Sequence, residues 1–189
     1  SIPAPAKVNE TIKKLVDEED SILLHGYSMA PGFESTREAI AKNLRDRFST
    51  NAQASEIYLT CGCAPALVSV AKALTCKPED NFICIAPYFP EYNVFFTAGG
   101  GQVKVVAPDI PDFQINLDAL EEAIDENTVA VVINSPNNPS GVVYTEETLV
   151  KIGDLLKKKA AEYGHPIYII ADEPYRELVY GGVKVKFIP

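Results

Sequence analysis

The chain lacks most of the features that assign a protein at a glance. No apolar run approaches the roughly 18 residues of a membrane-spanning helix. The first residues, Ser1-Ile2-Pro3-Ala4-Pro5, carry neither the charged nor the apolar region of a secretory leader. Nor do they begin with Met, so the natural start is expected upstream or removed by processing. No internal repeat or low-complexity stretch interrupts the 189 residues. There is no GKS or GKT, which removes the P-loop, and no GxGxxG, which removes the main support for a dinucleotide site. Histidine occurs twice, never near a cysteine in sequence, so a thiol–imidazole nucleophile has no local support. The four cysteines, Cys61, Cys63, Cys76 and Cys84, match no CxxC or zinc-ligand spacing. They are expected to be small, buried, reduced thiols of a cytoplasmic protein, and no metal site is expected. Cys63 differs only if it opens a helix, where a thiol becomes more acidic.

Positive charge is also short. Seventeen Lys and Arg face 26 Asp and Glu, a net charge of −9. That balance repels phosphate backbones and argues against nucleic acid as a partner. It does not exclude a small anion, which responds to local fields.

What is present is alternation. Apolar, β-branched runs at 56–60, 82–86, 102–107, 128–134 and 167–171 read as strands. Helical patterns at 5–19, 35–48, 63–75, 92–98, 117–124 and 145–163 lie before and between them. Ser35-Thr36-Arg37-Glu38 is expected to cap the second helix, Asn116 or Leu117 to start the fifth, and Thr145 to open the last. On the helix at 63–75, Ala66, Leu67, Val70, Ala71 and Leu74 fall on one face. Strands alternating with helices predict an α/β fold of three layers, with a mainly parallel sheet covered on both sides. The near-continuous apolar run at 128–134 fits a strand buried on both faces.

Polar chemistry gathers just past the strand runs, where open α/β sheets bind ligands. Thr60-Cys61-Gly62-Cys63-Ala64 joins a strand to a helix, and amides at such a junction favour an anion. Asn134 to Gly141 reads NSPNNPSG after one strand. Asp172-Glu173-Pro174-Tyr175 follows another. An acid at the end of a buried strand is desolvated unless it meets a partner. The alternative for Asp172 is a helix N-cap, and for the asparagine–proline segment a plain turn. An amide, an acid and a phenol at neighbouring strand ends suit an aromatic cofactor with a ring nitrogen at one end and a phenolic oxygen at the other.

In the order and spacing of these segments the chain resembles the fold-type I, class I/II aminotransferases, which use pyridoxal 5′-phosphate. The resemblance also draws on YSMAPGFESTR from Tyr27 to Arg37 and on Pro87-Tyr88-Phe89-Pro90. It implies that Asp172 pairs with the pyridine nitrogen and keeps it protonated, which strengthens the ring as an electron sink. It implies that Asn138 and Tyr175 donate to the phenolic oxygen, that Phe89 stacks on the ring, and that amides of Gly62, Cys63 and Ala64 hold the 5′-phosphate. Tyr27 matches a tyrosine that reaches the phosphate in a neighbouring subunit, which implies a homodimer with shared sites. Arg37 matches a residue that reads as structural. Cis peptides are implied at Ala86-Pro87 and Asn138-Pro139.

The same resemblance implies an N-terminal helix and loop over residues 1–34 and an incomplete cofactor-binding large domain over 35–189, without the small domain. The Schiff-base lysine is expected beyond Pro189; Lys184 and Lys186 lie too close to Tyr175. The arginine for the substrate carboxylate belongs to the small domain. The expected activity of the whole protein is transfer of an amino group between an L-amino acid, aspartate- or alanine-like, and a 2-oxo acid. This segment alone is expected to be inactive. The alternatives are a lyase or acyl transferase on the same scaffold, or a non-enzymatic sensor domain.

Overall fold

In the computed structural model, which describes residues 3–188, four of the five apolar runs become strands of one parallel sheet. They are β1 (Asn81–Ile85), β2 (Gln102–Val106), β3 (Thr128–Asn134) and β4 (Tyr168–Asp172), in the order β2–β1–β3–β4. Seven helices occur among the described residues: α1 (Ala6–Glu18), α2 (Ser21–His25), α3 (Glu34–Phe48), α4 (Cys63–Leu74), α5 (Tyr92–Ala98), α6 (Leu117–Ala123) and α7 (Glu146–Tyr163). The chain divides into two compact units, the first ending at Cys61 and the second beginning at Gly62.

The whole sheet lies in the second unit, and its strand sequences explain its layers. Every residue of β1 is buried, because alternate side chains enter two different cores. Ile83, Ile85, Val131 and Ile133 pack with Leu120 of α6 and Ile152 and Leu156 of α7. Phe82, Cys84, Ala130 and Val132 point the other way, against Leu67 and Ala71 of α4 and Tyr92 and Phe96 of α5. Phe82 and Phe96 stack with centroids 4.6 Å apart. The outcome is the three-layer α/β arrangement predicted from the alternation. β2 and β4 are less buried because each pairs on one side only.

Helix ends follow local chemistry. Asn116 accepts from the Ala119 amide at 2.8 Å, and Thr145 from the Thr148 amide at 3.1 Å, so both act as N-caps. Gly164 ends α7 with φ 76°, a left-handed cap that favours glycine.

In the first unit α1 buries no residue, and Asp20 caps α2 by accepting from the Ile22 and Leu23 amides. Arg37 donates from Nε to the Gly32 carbonyl at 3.1 Å and from Nη1 to the Ala54 carbonyl at 2.6 Å. It ties loop to loop, consistent with the structural role expected of it. Among the described residues no helix is long and apolar enough to cross a membrane.

Several local expectations are corrected. Residues 57–60 form no strand: a short 3-10 turn (Ala54–Glu56) precedes them, and the bond from the Leu59 amide to the Pro31 carbonyl belongs to no ladder. A β-prone run without a neighbouring strand stays extended chain. Ser35 to Glu38 do not cap α3; Phe33 holds that position and no side chain caps it. Val70 lies off the buried face of α4, which is carried by Leu67, Ala71 and the partly buried Leu74. Only Cys84 is a buried thiol; Cys61, Cys63 and Cys76 are exposed because they sit in or beside connections rather than under a layer.

Candidate active site

The carboxyl ends of β3 and β4 lie side by side, with Asn134 paired in register with Asp172. Parallel strands put these two last residues at the same edge of the sheet, where the chain leaves it for polar loops. Asn134 locks that edge. Its Nδ2 donates to the Asp172 carbonyl at 2.8 Å, and its Oδ1 accepts from the Asn138 amide at 2.7 Å. Asn137 closes the next turn, accepting from the Ser140 amide at 3.1 Å and from its hydroxyl at 2.7 Å. Ala86-Pro87, Ser135-Pro136 and Asn138-Pro139 are cis, including both bonds expected from the sequence. The chain after Asp172 makes turns rather than a helix, so Asp172 is not a helix cap.

A cavity of about 280 Å³ opens above these strand ends. Cys63, Ala64, Phe89, Asn138, Asp172 and Tyr175 all line it, as do Asn134 and Tyr92. Six of the eight cofactor residues named from the sequence therefore converge on one space. Asn138 Nδ2 donates to the Tyr175 hydroxyl at 3.4 Å, which puts an amide and a phenol together on one wall. Gly62 is not among the lining residues. It precedes α4 with φ 103°, and a Cβ there would meet nothing within 4 Å, so the backbone angle rather than crowding calls for glycine. Tyr27 belongs to the first unit and is fully exposed.

Cys63 does open a helix, but it does not become more acidic. Its Sγ donates to Asp172 Oδ1 at 3.3 Å. Burial of the thiol, with the charge of Asp172 and this hydrogen bond, pushes it up to about 11. The residue is open to solvent while its sulfur turns inward to the acid, and a neighbouring carboxylate outweighs the helix end.

Tyr92 was read from the sequence only as the start of a helix. Its hydroxyl donates to Asp172 Oδ2 at 2.5 Å, from a side chain that is 1% exposed. Burial and the same carboxylate push the phenol well above its ordinary range. Phe89 meets the Tyr92 ring edge-on at 5.9 Å. Asn134 lay inside a motif already singled out but had no assigned role. The available signal was its position as the last residue of an apolar strand.

A larger depression of about 460 Å³ runs beside β4, between α7 and the C-terminal segment. Its charged groups, Glu146 and Lys186, pair with each other at 2.6 Å, leaving no convergent set of polar groups there among the described residues. Lys186 is thereby held away from the smaller cavity, and among the described residues no lysine lines that cavity.

The donor set fits a substituted pyridine. A carboxylate faces one side, an amide and a phenol sit together on another, an aromatic ring supplies a face, and a helix start adds amides. The comparisons agree. Residues 3–188 match the family described as "Aminotransferase class I and II", and the chain belongs to that family, whose members depend on pyridoxal phosphate. A "Probable aminotransferase TAT3" of Arabidopsis thaliana is 37% identical over 161 residues, 84% of this chain and 35% of the relative. A "Probable aspartate/prephenate aminotransferase" of Aquifex aeolicus is 36% identical over 161 residues, 84% of this chain and 39% of the relative. A solved amino transferase from Eubacterium rectale superposes with a TM-score of 0.97 at 55% identity, covering 99% of this chain and 47% of that one. The chain spans less than half the length of each of these proteins.

Proposed function

We propose that the whole protein transfers an amino group between an L-amino acid and a 2-oxo acid, and that this chain supplies most of the walls of its pyridoxal-phosphate site. The observation that carries the reading is the single cavity shared by Asp172, Asn138, Tyr175 and Phe89. Bound there, the cofactor supplies an electron sink for the carbanion formed at the amino acid's α-carbon. The chain's own groups bind and orient it. Asp172 accepts from the protonated ring nitrogen. Asn138 and Tyr175 donate to the phenolic oxygen and keep it an oxyanion. Phe89 packs on a ring face. The amides of Gly62, Cys63 and Ala64 take the phosphate.

Tyr27 reaches a second subunit's phosphate in a homodimer; its full exposure in the loop after α2 supports that reading. The free cysteines support a reducing, cytoplasmic setting. Residues 1–34 serve as an N-terminal helix and loop segment, and 35–189 as part of the large domain. An aspartate-like donor is favoured, since the Aquifex aeolicus relative is described as an aspartate/prephenate aminotransferase.

The test uses the whole protein with pyridoxal phosphate, 2-oxoglutarate and a panel of amino donors, with glutamate as the readout. Glutamate should form with aspartate or alanine and be lost, by about a hundredfold or more, in Asp172→Asn. Full activity in that variant, or no transfer with any donor, would count against the assignment.

A further inference from the structure

Two uncharged donors meet Asp172 from different elements, one on each oxygen. Tyr92, at the start of α5, donates to Oδ2 at 2.5 Å, and Cys63, at the start of α4, donates to Oδ1 at 3.3 Å. We propose that Tyr92 and Cys63 are positioning residues for Asp172: they hold its carboxylate so that a proton shared with a pyridine nitrogen in this cavity stays on the nitrogen. The inference rests on the pyridoxal-phosphate reading above.

An ionised carboxylate offers about four lone-pair sites. The phenol and the thiol take one on each oxygen, and one on each remains for a ring N–H. Rotation of the carboxylate would break both bonds at once, so the pair fixes its plane. Both bonds can be accepted only by oxygens, so the lone pairs left free stay turned toward the ring N–H. A ring proton placed between nitrogen and Asp172 is thereby left on nitrogen.

Both groups remain donors across the neutral range, since burial and the nearby acid raise the thiol to about 11 and the phenol further. Tyr92 is wedged between Phe89, edge-on at 5.9 Å, and Phe96, tilted at 5.9 Å, so its hydroxyl is aimed by packing. Cys63 also opens the helix assigned to the phosphate. One residue thus serves both ends of the site, its amide at the phosphate and its sulfur at the acid.

The experiment reads the ring nitrogen directly. The whole protein is loaded with ¹⁵N-labelled pyridoxal phosphate, and the nitrogen resonance and cofactor Kd are measured for wild type, Tyr92→Phe, Cys63→Ala, Cys63→Ser and Asp172→Asn. Tyr92→Phe and Cys63→Ala should move the resonance toward the unprotonated position and weaken binding, by about tenfold and about threefold respectively. Cys63→Ser keeps a donor and should stay with wild type, which a role in bulk packing would not require. Either Tyr92→Phe or Cys63→Ala leaving both readouts unchanged removes that residue from the proposal. A serine variant as displaced as the alanine one also overturns it for Cys63. Wild type that binds no cofactor, or Asp172→Asn with an unmoved resonance, sinks the pyridoxal-phosphate reading itself and this inference with it.

Discussion

Acid should loosen the amino-terminal end of the sheet through one residue, Asp125. Its Oδ1 accepts from Asn81 Nδ2 at 3.0 Å, the Asn127 amide at 3.0 Å and the Thr128 hydroxyl at 3.1 Å. Its Oδ2 accepts from Lys104 Nζ at 2.5 Å, so the acid ties β1, β2 and β3 together. Burial by itself would raise this carboxyl. The bonds from Lys104, Asn81 and the Asn127 amide, with the charge of Lys104, reverse that and bring it from the usual 3.8 to about 2.

A fall of that size corresponds to about 2.4 kcal/mol if carried in full. The Lys104 and Asp125 side chains are 35% and 36% exposed, so screening by water reduces it to about 1 kcal/mol. A carboxyl that is more acidic when folded stabilises the fold above its unfolded pKa. The contribution fades as pH falls through the folded one, and roughly half is gone at about pH 3.

Asp125→Asn keeps one acceptor oxygen and discards the charge. Urea midpoints followed by far-UV circular dichroism should therefore differ by about 1 kcal/mol near pH 7, and the gap should close to about half near pH 3. Other carboxyls titrate in both proteins and cancel in the difference. A gap that stays constant with pH would refute the electrostatic account and leave only a packing effect.

Four further outcomes follow from the packing and the site. Phe96→Ala removes a ring with no exposure that stacks on Phe82, and should cost about 3–5 kcal/mol in urea unfolding. Gly99→Ala should destabilise by about 1–3 kcal/mol, because the new Cβ would lie 2.4 Å from the Ala71 Cβ and 2.9 Å from backbone atoms of α4. Gly153→Ala, inside α7 with nothing within 4 Å, should instead stabilise by about 0.5–1 kcal/mol in the same assay. Cys63 should alkylate slowly near neutral pH despite its exposure, and Asp172→Asn should speed its reaction with iodoacetamide about tenfold by removing the neighbouring charge. Mass spectrometry resolves the cysteines, and an unchanged rate at Cys63 would contradict the Cys63–Asp172 contact.

Much of the fold was readable because its signals are local. Thr128–Asn134 reads as a buried strand from apolar side chains alone, and Thr145 and Asn116 announce helices by a hydrogen bond within three residues. Residues 57–60 misled because strand propensity describes a pleated, half-covered surface and cannot say whether a neighbour exists. The cysteines misled for a similar reason: their average burial says nothing about Cys61 and Cys63, which flank Gly62 at a turn into a helix.

The site divides along the same line. Asp172, Asn138 and Tyr175 were legible because each lies at or just beyond an apolar strand, in segments whose turn chemistry is visible in the residues themselves. Tyr92 was not, because nothing near position 92 refers to position 172; the two are 80 residues apart and meet only when α5 packs against the sheet. Alone, the sequence determined which segments are buried strands, which are capped helices and where polar groups leave the sheet, since those are matters of residue type and short spacing. The tertiary structure decided which donors reach the carboxylate and what the Cys63 thiol becomes. Those depend on distances of a few ångströms between elements, and they exist only once layers built from distant parts of the chain have closed on one another.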